Sequence, residues 1–295
     1  MRAVLIEYQQ DLQTRSFEGL RFPYLWLDAT YMKCRDGGHV SSTALVTAIA
    51  CGDDGYRHLV GLEAVDTESY LGWRGFLQSL RERGVEGVVC VTSDAHEGLW
   101  RAIGEVFPGA AWQRCVVHLE RNAMSLARNR RQRAAIGSIL HAVFAERDPA
   151  LARELYHLAC EEIASFNARA AELLEDAEAD TLAYLDFPYD HHRRLRANNV
   201  QERANREIKR RSSVVQVFPS RKSLIRMVGA VLSEMDEGWS ARRWFDGDSV
   251  ADAYEDPSRR KPAPEPAYEG TAAERAARIM ALVLSGGVDP TGKAA

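Results

Sequence analysis

Residues 24–32 read Tyr-Leu-Trp-Leu-Asp-Ala-Thr-Tyr-Met, YLWLDATYM. Aromatic and aliphatic side chains with one acid inside them predict a buried strand. Working outward, STALVTAIACG (42–52) is a second strand that stops at the turn Gly52-Asp53-Asp54-Gly55, and YRHLVGLEAV (56–65) is a third. Strand, tight polar turn and strand predict an antiparallel hairpin. The next segment carries Tyr70, Leu71, Trp73, Phe76, Leu77 and Leu80 at helical spacing and stops at Gly84. GVVCVTSD (87–94) reads as a fourth, central strand, AHEGLWRAIGEVFPG (95–109) as a helix up to Pro108, and AAWQRCVVHL (110–119) as a fifth short strand. The order is β-β-β-α-β-α-β. It predicts an α/β fold with a layered sheet of mixed direction.

From about 120 to 197, Leu, Ala and Glu recur with helical period, which predicts an all-helical block. ANNVQERANREIKRR and SRKSLIRMVGAVLSEMDEGW read as two further helices. Residues 246–272 are Pro-rich and polar and read as a flexible linker, with a short helix expected over 273–285. The domains expected are a remnant N-terminal segment (1–22), a core from 23–119 and 197–245, a helical insertion (120–196), and a Pro-rich tail (246–295).

The chain has 295 residues, 46% hydrophobic and 27% charged, with net charge −4. This is ordinary globular composition, so disorder, collagen and coiled coil are excluded as the dominant state. No apolar run approaches the ~20 residues that span a bilayer, and no secretion signal opens the chain. Five cysteines, an odd number without a paired framework, fit a reducing, cytoplasmic compartment. The near-neutral total hides segregation. Residues 145–190 hold twelve acids against three arginines, whereas residues 191–226 hold eleven basic residues against Glu202 and Glu207. Residues 114–133 hold six arginines against Glu120. Such blocks read either as solvated helix faces or as a local positive potential that attracts phosphate.

Three acids stand where structure alone does not favour them. Asp28 sits inside an apolar strand, Asp94 ends the fourth strand, and Glu202 lies on a basic helix. If the first and fourth strands are neighbours, Asp28 and Asp94 approach each other and Glu202 can come in from a packed helix. Hard oxygen ligands with open positions suit Mg²⁺, which promotes in-line phosphoryl displacement. Structural readings stand beside this one. Asp28 is satisfied by a neighbour, Asp94 forms a capping box with Glu97, and Glu202 occupies N3 after an Asn199 cap. Lys209 is seven residues from Glu202, on the same helix face, with Arg206 near the same stripe. Cys115-Val-Val-His118 has metal-ligand spacing but no second pair. It therefore reads as a buried cysteine and a hydrogen-bonded histidine at a strand end. Glycine-rich nucleotide loops are absent.

The segments PYLWLDATYMKCR, TSDAHEGLWRAIGEVFPGAAWQRCVVHLERN and NNVQERANREIKRRSSVVQVFP, in this order, resemble the catalytic region of the Mutator-type transposases of bacterial insertion sequences. The resemblance covers about residues 15–245. It implies an RNase H-like core in which Asp28, Asp94 and Glu202 form an Asp-Asp-Glu metal triad for Mg²⁺, with Mn²⁺ as an alternative. It also implies a Cys-x-x-His signature at Cys115 and His118, structural or near the site, and a helical insertion before the glutamate. The implied activity is DNA cleavage at element ends and joining of the 3′-hydroxyl to a target strand, without a covalent protein intermediate. Arg206, Lys209, Arg210 and Arg211 would hold DNA phosphates. At least a dimer on DNA is expected, with no membrane partner. Family members carry a helix-turn-helix-type region ahead of the first catalytic strand. Only about twenty residues precede Tyr24 here, so a truncated copy is expected. Two other readings stay open: a non-catalytic remnant that binds DNA or pairs with full-length transposase, and a different RNase H-like nuclease.

Overall fold

A computed structural model describes residues 14–36, 38–255 and 269–286. Five strands form one mixed sheet: β1 (Tyr24–Asp36), β2 (His39–Cys51), β3 (Arg57–Val65), β4 (Cys90–Ser93) and β5 (Ala111–Arg114). The helices are α1 (Tyr70–Glu82), α2 (Glu97–Val106), α3 (Val116–Ser125), α4 (Arg130–Ala145), α5 (Pro149–Ala164), α6 (Ala168–Thr181), α7 (His192–Leu195), α8 (Asn199–Ser212), α9 (Arg221–Ser240), α10 (Gly247–Ala251) and α11 (Ala272–Leu284). The described residues fall into two compact units. One lies within Met1–Gln113 and Ala197–Asp256, the other within Arg114–Arg196 and Pro257–Ala295. No helix among the described residues is long and apolar enough to cross a membrane.

In the sheet unit the strand order is β3-β2-β1-β4-β5. The hairpin β1–β2 is antiparallel, with Asp28 opposite Thr47, and β2–β3 continues antiparallel. β4 runs parallel to β1, pairing Tyr24–Trp26 with Cys90–Thr92. A parallel neighbour requires a crossover, which α1 provides. The period-2 alternation of β1 divides its side chains between two faces. Leu25 and Leu27 lie on one face with Val46, Ala48 and Ala50. They form a core with Trp73, Phe76, Leu77 and Leu80 of α1 and with Leu99, Ala102, Ile103 and Val106 of α2. Gly61 of β3 lets α1 approach closely, because a Cβ there would lie 2.7 Å from both Phe76 and Leu80. Tyr24 and Trp26 lie on the opposite face, where Trp26 meets Trp244 at 4.6 Å between ring centroids and Tyr24 meets Phe245 at 5.4 Å. α8 and α9 also pack on β1.

The helical unit is held by apolar stripes: Ile136, Ile139, Leu140 and Val143 on α4, and Leu151, Leu155, Ala159 and Ile163 on α5. α11 adds Ala276, Ile279 and Met280 and packs against both.

Three sequence expectations change. The fifth strand ends at Arg114, and Val116–Ser125 is helical. Two adjacent valines imitate a strand, but Val116, Leu119 and Ala123 are buried at spacings of three and four, a helical face. The fourth strand covers only Cys90–Ser93; the backbone N–H groups of Val89 and Cys90 both donate to the Pro23 carbonyl. Residues 247–251, read from sequence as linker, form α10 with Val250 buried, and Arg21 stacks 3.8 Å over the Tyr254 ring. The Pro-rich stretch 256–268 and most of the expected N-terminal segment lie outside the described residues.

Candidate metal and phosphate site

The β1–β4 register places the two aspartates. Trp26 pairs with Thr92, and two residues further along each strand stand Asp28 and Asp94. Parallel strands lie about 4.8 Å apart, so continuing the register sets these acids side by side where the formal pairing stops. They line one small pocket of about 50 Å³ together with Leu27, Ala29, Glu68, Trp73, His96 and Leu99. Both aspartates are half-buried. The lining thus carries three carboxylates and an imidazole. Glu68 and His96 escape a sequence reading because each lies in the short segment before a helix, with no periodicity to mark it.

Asp94 is not the cap of α2. His96 takes that position, its Nδ1 accepting from the Leu99 N–H at 3.2 Å. The neutral His96 ring therefore carries its proton on Nε2. Asp94 stands two residues before the cap.

Glu202 is also not at N3. The helix begins after Asn198, whose carbonyl accepts from the Glu202 N–H at 3.0 Å, so Glu202 stands at N4. The Asn198 side chain does not cap the helix but donates to the Leu27 carbonyl at 2.8 Å. Glu202 is half-buried and is not among the residues lining the Asp28–Asp94 pocket. It is nonetheless tied to the same strand: Asn205, three residues on, donates from Nδ2 to Asp28 Oδ2.

The basic residues of α8 separate into two kinds. Arg206 and Lys209 are exposed and form no ion pair among the described residues. Arg210 holds Glu207 with bonds of 2.7 and 2.9 Å. Arg211 bonds Glu207 at 2.8 Å and Glu234 at 2.5 and 3.0 Å. The two guanidiniums, Arg210 first, pull the Glu207 carboxyl down to about 2, and Glu234 and Glu207 hold Arg211 charged well above its ordinary range. A phosphate would meet Arg206 and Lys209 unopposed, but would have to compete with Glu207 for Arg210.

In the helical unit, buried Cys115 precedes α3 and His118 lies one turn into it; the thiol and a ring nitrogen are within 4.8 Å. His118 is therefore helical rather than at a strand end. All five cysteines are buried and none is in a disulfide. Burial pushes the Cys90 and Cys160 thiols up to about 12, so neither is a ready nucleophile.

An α/β unit that carries a mid-strand aspartate beside one just past the end of the neighbouring strand, with a basic helix bonded to the first, suits a protein that handles phosphates. The family follows from comparison: residues 1–242 match the family described as "Transposase, Mutator family", and the chain belongs to it. Among curated proteins it is 36% identical over 247 residues to the transposase for insertion sequence element IS1081 of Mycobacterium tuberculosis, covering 84% of this chain and 59% of that one. It is 37% identical over 217 residues to the transposase for IS406 of Burkholderia multivorans (74% and 56%). It is 32% identical over 240 residues to the transposase for IS256 in transposon Tn4001 of Staphylococcus aureus (80% and 61%). The chain spans about three fifths of the length of these relatives.

Proposed function

We propose that this chain is the catalytic region of a DNA transposase, with an RNase H-like core and Arg114–Arg196 as a helical insertion. Asp28, Asp94 and Glu202 hold Mg²⁺ or Mn²⁺. The observation that carries this reading is the β1–β4 register: it sets Asp28 beside Asp94 in one pocket, and the helix bearing Glu202 is bonded to Asp28 through Asn205. Two of the three donors, the Asp28 and Asp94 carboxylates, line a pocket with room for a hard divalent cation that keeps some of its water, and Glu202 would join them from the neighbouring helix. Bound there, the metal supplies an activated water or 3′-hydroxyl and stabilises the leaving oxygen. The rest of the work falls to the chain. Arg206 and Lys209, with Arg210 and Arg211 behind them, hold the DNA backbone, and Asn205 orients the Asp28 carboxylate. The substrate is DNA, both element ends and target. Holding two ends together needs at least a dimer, and the enzyme acts in the cytoplasm, where bacterial DNA lies.

The test is cleavage of labelled duplex carrying the ends of the encoding element, in Mg²⁺ or Mn²⁺. Wild-type protein is expected to cut and join. Asp94→Ala is expected to lose at least about two to three orders of magnitude in rate while keeping DNA binding. Activity that survives Asp94→Ala rejects the triad. Wild-type binding that never cuts favours the non-catalytic reading, and hydrolysis without joining favours a nuclease.

A further inference from the structure

α8 buries the stripe Gln201, Ala204, Ile208 and Ser212, and its first member is a carboxamide with no solvent exposure. A buried amide is costly unless all its polar atoms are bonded. Those of Gln201 are. Nε2 donates to the Trp26 carbonyl at 2.7 Å and to the Thr47 carbonyl at 3.1 Å, while Oε1 accepts from Thr47 Oγ1 at 2.8 Å. Reversing the amide would set its oxygen against two carbonyls, so one orientation is fixed. Gln201 thereby bridges adjacent strands: Trp26 lies on β1 and Thr47 on β2, opposite Asp28. Asn198 and Asn205 flank it on the same helix face and bond Leu27 and Asp28. Three amides at i, i+3 and i+7 therefore grip three consecutive residues of β1.

Apolar packing tolerates small slides and rotations of a helix, whereas this set of directional bonds fits one register. A well-packed apolar residue in place of a satisfied buried polar group is often neutral for stability. What such a replacement loses here is the register itself. We propose that Gln201 is a positioning residue: it sets the rotation and height of α8 on β1 and so determines where Glu202 stands relative to Asp28. The proposal rests on the carboxylate reading of the site given above.

The test measures Mn²⁺ binding to the full chain by calorimetry, without DNA, for wild type, Gln201→Met and Asp28→Asn, with thermal melting alongside. Expected are Asp28-dependent Mn²⁺ binding in wild type, and in Gln201→Met a near-native melt with affinity down roughly 10- to 100-fold, as for lost outer-sphere support. Gln201→Met that binds Mn²⁺ like wild type, while Asp28→Asn does not, overturns the positioning role and leaves the metal reading intact. Wild-type binding that is absent or indifferent to Asp28→Asn overturns the metal reading, and the positioning role with it. If Gln201→Met fails to fold, Thr47 decides. Thr47→Ser keeps the hydroxyl donor and should bind as wild type, and Thr47→Val should bind severalfold more weakly. Equal affinities for these two variants overturn the proposal.

Discussion

The sheet unit and the helical unit use their buried polar side chains in different places. In the sheet unit Asn198 and Gln201 donate to strand carbonyls within two residues of Asp28, and Thr47 donates to Gln201. In the helical unit they sit at helix ends. Asn167 caps α6 and donates to the Leu126 carbonyl, and Arg275 of α11 bonds Asp148, the cap of α5. Polar groups at helix ends fix where elements start; polar groups across a helix–strand face fix how elements are registered. The first arrangement suits a support and the second a site whose ligands come from different elements.

The largest expected effect on this comparison is at Asp148. Its Oδ1 accepts from the Ala150 and Leu151 N–H groups, while Oδ2 accepts from Arg275, whose side chain is only 8% exposed. Asp148→Ala removes a cap and strands a buried cation, so it should cost about 3–5 kcal/mol. Denaturant melts, with hydrogen exchange of the α5 amides, would show it. A cost near that of a simple cap, about 1 kcal/mol, would mean that Arg275 contributes little to the unit.

Next comes the basic face of α8. Lys209→Ala should weaken DNA binding and lower the salt-dependence slope by about one. Arg210→Ala should lower it less, because Glu207 already holds that guanidinium. Titrations at several salt concentrations read both. Equal slopes would show that DNA takes Arg210 away from Glu207.

The smallest effect is with pH. Glu207 is held at about 2 in the folded chain, below its unfolded range near 4.5. Its contribution to stability is therefore complete above about 4.5 and is lost as pH falls from there towards 2. Glu207→Gln should flatten that part of a stability–pH profile slightly, as expected of an exposed pair screened by solvent. An unchanged profile would show that the ion pair adds nothing net.

Much of the sheet was legible because β1 and β2 alternate or run apolar for many residues, as in YLWLDATYM. The helical period of the block from about 120 to 197 was legible for the matching reason, and the buried α5 stripe follows it. Val116-Val117 misled because β-branched residues favour strands locally, while burial at 116, 119 and 123 decided for a helix. The acids Asp28 and Asp94 stood out against apolar strands. Glu68 and His96 did not, since a loop residue is drawn to a pocket by tertiary placement alone. Gln201 was hidden differently: in a helix rich in Arg and Asn, a glutamine looks solvated, and only its contacts with β1 and β2 reveal it as fully buried.

The bond from Gln201 to Trp26 joins residues 175 positions apart. At synthesis speeds of about 5–20 residues per second, the ribosome needs roughly 10–35 s to supply the later partner. Throughout that interval the nascent hairpin shows one face, with Trp26 and Thr47 on it, to whatever else is present. A chaperone that shields this face during translation would therefore raise the yield of folded protein without touching the finished fold.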